Sequence, residues 1–344
     1  MLGLAIGLMV LALLPRETSC AGLPVPLPAA ANHPGTEASP IRVSVGFWLV
    51  DISRIDSAAQ TFSANLFFTL GWRDPSLAHG QPGLRQYNLK DIWHPNWVIV
   101  NAVSRLDPAL PEVAEVAGDG TVFYRQRVLG SFAQALELRK FPFDHATFGI
   151  HFVMIGLRPA DIQFVPSEQL LAMGMPNAAG VAPQLTLQDW RISEPTARTD
   201  AYQVAPGFES AGYVFEFRAD RLQQHYVVKV FIPLLLIVLM SWLVFWIDHA
   251  LSNAKISTSV TSMLTLIAYR FSIGNEVPKL PYLTLLDAFI LISTILVFLA
   301  LIEVVISTGL WFNGQKEPAQ AIDRRSRIVF PAVFVILSVA IVFL

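Results

Sequence analysis

The segment NAKISTSVTSMLTLIAYRFSIGNEVPKLPY, Asn253 to Tyr282, carries six hydroxyls in its first half: Ser257, Thr258, Ser259, Thr261, Ser262 and Thr265. It follows an apolar run long enough to cross a bilayer. Alcohols on a membrane helix can bond their own helix's carbonyls or a neighbouring helix. On one continuous face they can also replace part of an ion's hydration shell. On a helix, Ser257, Thr261, Leu264, Ala268 and Phe271 are spaced four, three, four and three, so they form a single stripe. The stripe begins with hydroxyls and ends with Leu, Ala and Phe. Ile256, Val260, Met263 and Ile267 fall on the opposite, apolar side. A helix wet on one face and dry on the other suits a pore, and a ring of Leu or Phe can close it by dewetting. One such helix encloses nothing, so several copies must surround an axis. The other four hydroxyls are expected to pack against neighbouring helices.

The rest of the chain divides into an aqueous part and a lipid part. Of 344 residues, 53% are hydrophobic and only 15% charged, which is unusual for a wholly soluble protein. Residues 1–21 read as a secretory signal, and the Pro- and Ala-rich stretch 22–40 as a disordered linker. Residues 41–224 mix polar and apolar residues as an aqueous domain does. Residues 225–344 hold four candidate spans at about 226–247, 254–275, 282–308 and 325–344. Pro233 is expected to bend the first span slightly, with Trp242 and Trp246 at its interfacial end. If the signal exports residues 41–224, the connection between the third and fourth spans is cytoplasmic. Lys316, Arg324, Arg325 and Arg327 then lie inside, as the positive-inside rule asks, in a multi-pass protein of the cell inner membrane. Arg270, Asp287 and Glu303 lie within spans and must face other helices or water.

Within 41–224, segments such as IRVSVGFWLVDIS, TFSANLFFTLGWRD and GYVFEFRADR alternate in polarity, and turn residues separate them. The fold class expected is an antiparallel, immunoglobulin-like β-sandwich followed by a four-helix transmembrane bundle. There is no Gly-rich phosphate loop, no GxSxG and no metal-spaced His/Asp/Glu cluster, so neither an enzyme nor a cofactor is expected. A net charge of −2 without a basic block gives nucleic acid no footprint. The single cysteine, Cys20, lies in the leader, so no disulfide framework is expected.

Particular motifs are similar to those of a known family. KFPFDHATF (Lys140 to Phe148) resembles the signature loop of the pentameric ligand-gated ion channels, the Cys-loop receptor superfamily, with Pro142 and Asp144 in place. The flanking cysteines are absent, as in bacterial members. GWRDPSL, DIWHPNWVIVN, FIPLLLIVLMSWLVFW and NEVPKLPYLT resemble further family segments, covering nearly all of Ile41 to Leu344. SWLVFWI and VPKLPY look like the amine-gated and proton-gated bacterial channels.

The resemblance implies a homopentamer, each chain meeting four identical subunits, with membrane lipids around it and permeant ions within. A small-molecule agonist or protons would open it. It implies that Ser257, Thr261, Leu264, Ala268 and Phe271 line the pore, with Asn253 and Glu276 at its mouths. It implies gating contacts in which Asp56 and Asp144 meet Arg221, and in which Pro278 and Pro281 receive the motion. It places the agonist between adjacent sandwiches, at Phe67 on one side and at Tyr202, Phe208 and Tyr213 in a capping loop on the other. Val153 and Ile155 stand where amine-binding relatives carry acidic and aromatic groups. Cation selectivity is expected from the bacterial members, although Ala254-Lys255 at the inner mouth is similar to anion-selective relatives. The alternatives are an anion-selective member and a non-conducting, membrane-anchored receptor.

Overall fold

The computed structural model describes residues 40–274 and 280–342. The expected signal and linker, together with Glu276 and Pro278, lie outside the described residues.

The aqueous region forms twelve strands. They are β1 (Ile41–Asp56), β2 (Thr61–Arg73), β3 (Arg85–Asn88), β4 (Trp97–Ile99), β5 (Asp107–Pro108), β6 (Val113–Val116), β7 (Thr121–Ala133), β8 (His145–Met154), β9 (Ile162–Pro166), β10 (Ala179–Val181), β11 (Trp190–Ala205) and β12 (Phe208–Arg221). One sheet runs β10-β1-β2-β7-β6-β3, with β5 and β9 paired at its margins, and the other runs β11-β12-β8-β4. Most pairings are antiparallel, as the alternation predicts. β9 and β10, however, pair with β1 in parallel, so the sandwich is not wholly antiparallel. A parallel neighbour needs a crossover rather than a hairpin, and the alternating pattern of one strand does not encode its partner's direction.

The core between the sheets is aromatic. Alternate residues of β2, Phe62, Ala64, Leu66, Phe68 and Leu70, are buried, while their neighbours are partly exposed. From the other sheet, Phe148 stacks on Phe217 at 5.5 Å and Phe152 meets Phe68 edge-on at 5.0 Å. Phe62 meets Phe148 edge-on at 5.1 Å. Such pairs add roughly 0.5–1.5 kcal/mol each beyond the area they bury.

Four long helices follow: α1 (Gln224–Trp246), α2 (Ser252–Ile273), α3 (Leu285–Phe312) and α4 (Lys316–Val342). Two of them, α1 and α3, are long and apolar enough by themselves to cross a membrane. α1 carries a π-type turn at Val227–Phe231, just before Pro233. The widened turn accommodates a residue that has no N–H to donate. Trp246 is exposed at the helix end, but Trp242 is buried against Phe334 at 5.5 Å. That tryptophan packs the bundle and is not an interfacial anchor. α3 starts with a capping box: Thr284 accepts from the Asp287 backbone and donates to the Asp287 carboxylate, which also accepts from the Thr284 N–H. Asp287 is thereby accounted for as a helix cap. α4 begins at Lys316, earlier than the sequence suggests, so only a tight turn at Asn313, Gly314 and Gln315 joins it to α3.

Replacing Phe152 by Ala should lower the unfolding free energy of the sandwich by about 3–5 kcal/mol, because the ring is fully enclosed. Thermal melting followed by near-ultraviolet circular dichroism measures it, and an unchanged midpoint would contradict this packing.

Candidate functional site: a domain junction and an exposed helix stripe

Strand β12 ends at Arg221, and the next residues begin α1. The Arg221 side chain turns inward rather than to solvent. Its Nε donates to Asp144 Oδ1 at 2.8 Å and one terminal nitrogen donates to Asp144 Oδ2 at 3.0 Å, a bidentate fork. That terminal nitrogen also donates to Ser57 Oγ at 2.9 Å. Its carbon lies 4.0 Å from the centre of the Trp190 ring and 4.8 Å from that of Phe141. Two rings and three hydrogen bonds therefore surround a charge that is almost completely buried.

Asp56 does not join this pair. Its carboxylate is held by Arg54 at 2.7 Å and by the amides of Ala58 and Ala59, so it caps its own turn. Ser57, one residue on, makes the contact expected of Asp56. Asp followed by small residues favours this local turn, and the turn consumes the carboxylate.

The loop that supplies Asp144 also reaches the helices. The Leu138 N–H donates to the Tyr282 hydroxyl at 3.2 Å. The amides of Leu285 and Leu286, at the head of α3, donate to the carbonyls of Arg139 (2.8 Å) and Phe141 (3.2 Å). Phe141 packs edge-on against Tyr226 at 5.0 Å, and Phe143 lies 5.9 Å from Phe231. One loop thus satisfies orphan amides at the N-terminus of α3 and packs on the top of α1. Pro281 immediately precedes Tyr282 and so adjoins this contact. Ser57, Trp190, Tyr282 and the α3 amides carry no signal in the sequence, since their partners lie far along the chain.

The five stripe residues on α2 all face outward in the single subunit. Leu264 is 60% exposed and Phe271 81%. Asn253 is exposed at the start of the helix. The packed face runs through Lys255, Ser259, Ser262, Leu266 and Ile273. Ile256, Val260, Met263 and Ile267 lie about a quarter-turn from the stripe rather than opposite it; Ile256, Val260 and Ile267 are exposed and Met263 is half-buried. In lipid the apolar side has no need to turn inward, and small hydroxyl residues let helices approach closely. Three hydroxyls bond back along the helix: Thr261 donates to the Ser257 carbonyl at 2.7 Å, Ser262 to Thr258 at 2.9 Å and Thr265 to Thr261 at 2.8 Å. Thr265 is exposed rather than packed.

Lys255 is fully buried. Its ammonium donates to Asp323 Oδ2 of α4 at 2.5 Å and to Ser307 Oγ of α3 at 3.2 Å. It therefore points into its own bundle, away from the exposed stripe.

The expected agonist residues separate. Phe67 is half-buried on β2, opposite Trp48 and Arg127. Tyr202 and Phe208 lie on the β11–β12 hairpin of the other sheet, with Phe208 73% exposed. Its tip turns at Gly207, whose φ of 81° suits glycine. Tyr213 is not a capping-loop residue: it is buried in β12, stacked on Phe47 at 5.8 Å and touching Phe164 at 5.2 Å. Burial pushes its phenol pKa above the ordinary value. Its position follows from strand alternation continuing right up to the hairpin. No group of three or more His, Cys, Asp or Glu among the described residues is placed to hold a metal.

Replacing Asp144 by Asn leaves the buried Arg221 without its counter-charge. Stability should fall by about 3–5 kcal/mol, more than for an exposed pair. Chemical denaturation of the purified protein checks this, with the exposed Arg54–Asp56 pair as the control; equal losses at both pairs would contradict it.

Two family models match the chain. The neurotransmitter-gated ion-channel ligand-binding domain matches residues 29–203, and the neurotransmitter-gated ion-channel transmembrane region matches residues 230–317. Among its relatives, a proton-gated ion channel of Gloeobacter violaceus is 29% identical over 89% of this chain and 83% of its own length. The γ-aminobutyric acid receptor subunit β-4 of Gallus gallus is 24% identical over 86% of this chain and 61% of its own length. The θ subunit of Mus musculus is 25% identical over 82% of this chain and 44% of its own length. With both domains matched in sequence order over most of its length, the chain belongs to the neurotransmitter-gated ion-channel family, whose members are ligand-gated channels and not enzymes.

Proposed function

We propose that this chain forms a homopentameric, cation-selective channel in which α2 lines the pore and external protons promote opening. The observation that carries this reading is the outward stripe of Ser257, Thr261, Leu264, Ala268 and Phe271, left uncovered on a helix whose other face is packed into its own bundle. Five copies around an axis cover such a stripe and give it water. Leu264 and Phe271 then form apolar rings that close by dewetting, and Ser257 and Thr261 form polar rings below them. Asn253 sits at the inner mouth; Glu276 is assigned to the outer mouth by sequence alone. The membrane reading is a multi-pass inner-membrane protein with the sandwich outside and the α1–α2 link at the cytoplasmic face.

Two features favour cations. The positive charge of Lys255 is neutralised by Asp323 and turned away from the stripe. The Thr261 hydroxyl spends its proton on the Ser257 carbonyl, so it presents lone pairs outward. Lone pairs can replace the water oxygens around a cation.

The trigger is read from the agonist region. With Tyr213 in the core and Val153 buried, an aromatic cage for a cationic amine lacks walls. The relative from Gloeobacter violaceus is called a proton-gated channel. Opening then passes through the junction: Arg221 and Asp144 tie the sandwich to α1, and Tyr282, with Pro281 beside it and Pro278 assigned to the same loop, carries motion toward α2.

Currents from reconstituted protein test this over a series of external pH. Acidification should open the channel, and reversal potentials in asymmetric salt should move toward the cation equilibrium value. Movement toward the anion value would overturn the selectivity reading. Leu264→Ser should shift the midpoint of activation by about tenfold in proton concentration toward easier opening, roughly 1.4 kcal/mol. No current at any pH, for the wild type and for Leu264→Ser alike, would sink the channel reading.

A further inference from the structure

The Lys255 pair belongs to a larger buried cluster with an unbalanced charge. Four parts of the helical bundle contribute to it: His249 from the α1–α2 link, Lys255 from α2, Glu303 and Ser307 from α3, and Asp323 and Ser326 from α4. Lys255 Nζ lies 3.4 Å from His249 Nε2, and His249 Nδ1 lies 3.7 Å from Asp323 Oδ2. The imidazole stacks on Trp311 at 4.8 Å. Glu303 is 8% exposed and stands beside Asp323 and Ser326. Neither of its oxygens has a hydrogen-bond partner, and neither does Asp323 Oδ1.

The cluster therefore holds two carboxylates and one ammonium. With both ionised and His249 neutral, one negative charge stays buried among helices without compensation, which is strongly unfavourable. A single proton resolves both problems. It cancels the excess charge, and it turns a Glu303 oxygen into a donor that the unpartnered Asp323 Oδ1 can accept. The other charged groups nearby are already committed. Arg327 donates to the Phe245 carbonyl at 3.0 Å and lies over Trp246, and Asp248 caps its own turn.

We propose that Glu303 and Asp323 together hold one exchangeable proton, taken from and returned to water on the α1–α2 link side, and that this proton sets how Lys255 anchors the inner end of α2. With the proton on Glu303, Lys255 is bound to Asp323 and ties α2 to α4. When it leaves, a second carboxylate competes for the same ammonium and draws it toward α3. Lys255 is two residues before Ser257, so the change reaches the first residue of the exposed stripe. The site is separate from the sandwich and responds to pH on the opposite side of the membrane from the external trigger. It rests on the channel reading only for its effect on current, and on the link end being cytoplasmic for its sidedness.

Infrared difference spectra of the lipid-reconstituted full-length protein across a pH series test the proton itself. The wild type should show the carbonyl stretch of a buried protonated carboxylic acid, lost as pH rises. Glu303→Gln, which keeps the shape and neutrality of the protonated acid, should lack that band. A band identical in the wild type and in Glu303→Gln would overturn the proposal, as would no such band at any pH. Inside-out patches with the outer solution held fixed test the consequence: wild-type current should change about fivefold as inner pH is varied, and Glu303→Gln current should not. A normal band with wild-type current insensitive to inner pH would overturn the coupling to α2. Since the band is read without any ion flow, a silent protein would count against the channel reading and leave the proton assignment to the spectra.

Discussion

The buried Arg221–Asp144 pair is the constraint on which the rest of the structure depends. Its two charges lie at the end of the last strand and in the loop that precedes β8, far apart in the chain. Burying both is favourable only when good geometry and further hydrogen bonds compensate, and here Ser57 accepts from the guanidinium while Trp190 and Phe141 lie against it. The fork fixes where β12 ends, and so fixes where α1 starts. The same loop then supplies carbonyls to the free amides of α3 and a ring to the top of α1. These contacts join the loop to two helices, α1 and α3.

The helical part follows different rules from the sandwich. Between the sheets, burial selects aromatics, and alternation decides which residue goes in. On α2, burial falls on Ser259, Ser262 and Lys255 as well as Leu266 and Ile273, while Ile256, Val260 and Ile267 stay exposed. The stripe of Ser257, Thr261, Leu264, Ala268 and Phe271 is left uncovered by its own bundle and is not uniformly apolar. At the link end of the bundle, the buried ammonium of Lys255 joins α2 to Asp323 of α4 and Ser307 of α3.

Much of this was legible in the chain. The spacing of Ser257, Thr261, Leu264, Ala268 and Phe271 selects one outward face, because helical geometry alone decides it. Strand alternation locates the core, and motif resemblance pairs Asp144 with Arg221. The misreadings have definite causes. Asp56 was assigned to Arg221, but a short carboxylate followed by small residues satisfies itself locally. Tyr213 was assigned to a binding loop, but it keeps the inward phase of β12. Trp242 was assigned to the interface, though its face of α1 meets α4. Ile256, Val260 and Ile267 are read as opposite the stripe, but at 3.6 residues per turn they stand about a quarter-turn from it, and Lys255, Ser259, Ser262 and Leu266 take the opposite side. The Lys255 cluster gathers residues from four separate segments, a juxtaposition that periodicity cannot supply.

The claim most exposed to test is that the outward stripe of α2 faces water in an open pore. The sequence contains one cysteine, Cys20, far from this helix, so single cysteines can be introduced on α2 with little background. Cysteines at Ala268 or Thr261 should react with a charged, water-soluble thiol reagent while the channel conducts, and the reaction should block the current. A cysteine at the buried Ser259 should not. Block from Ser259 with silence at Ala268 and Thr261 would contradict the account.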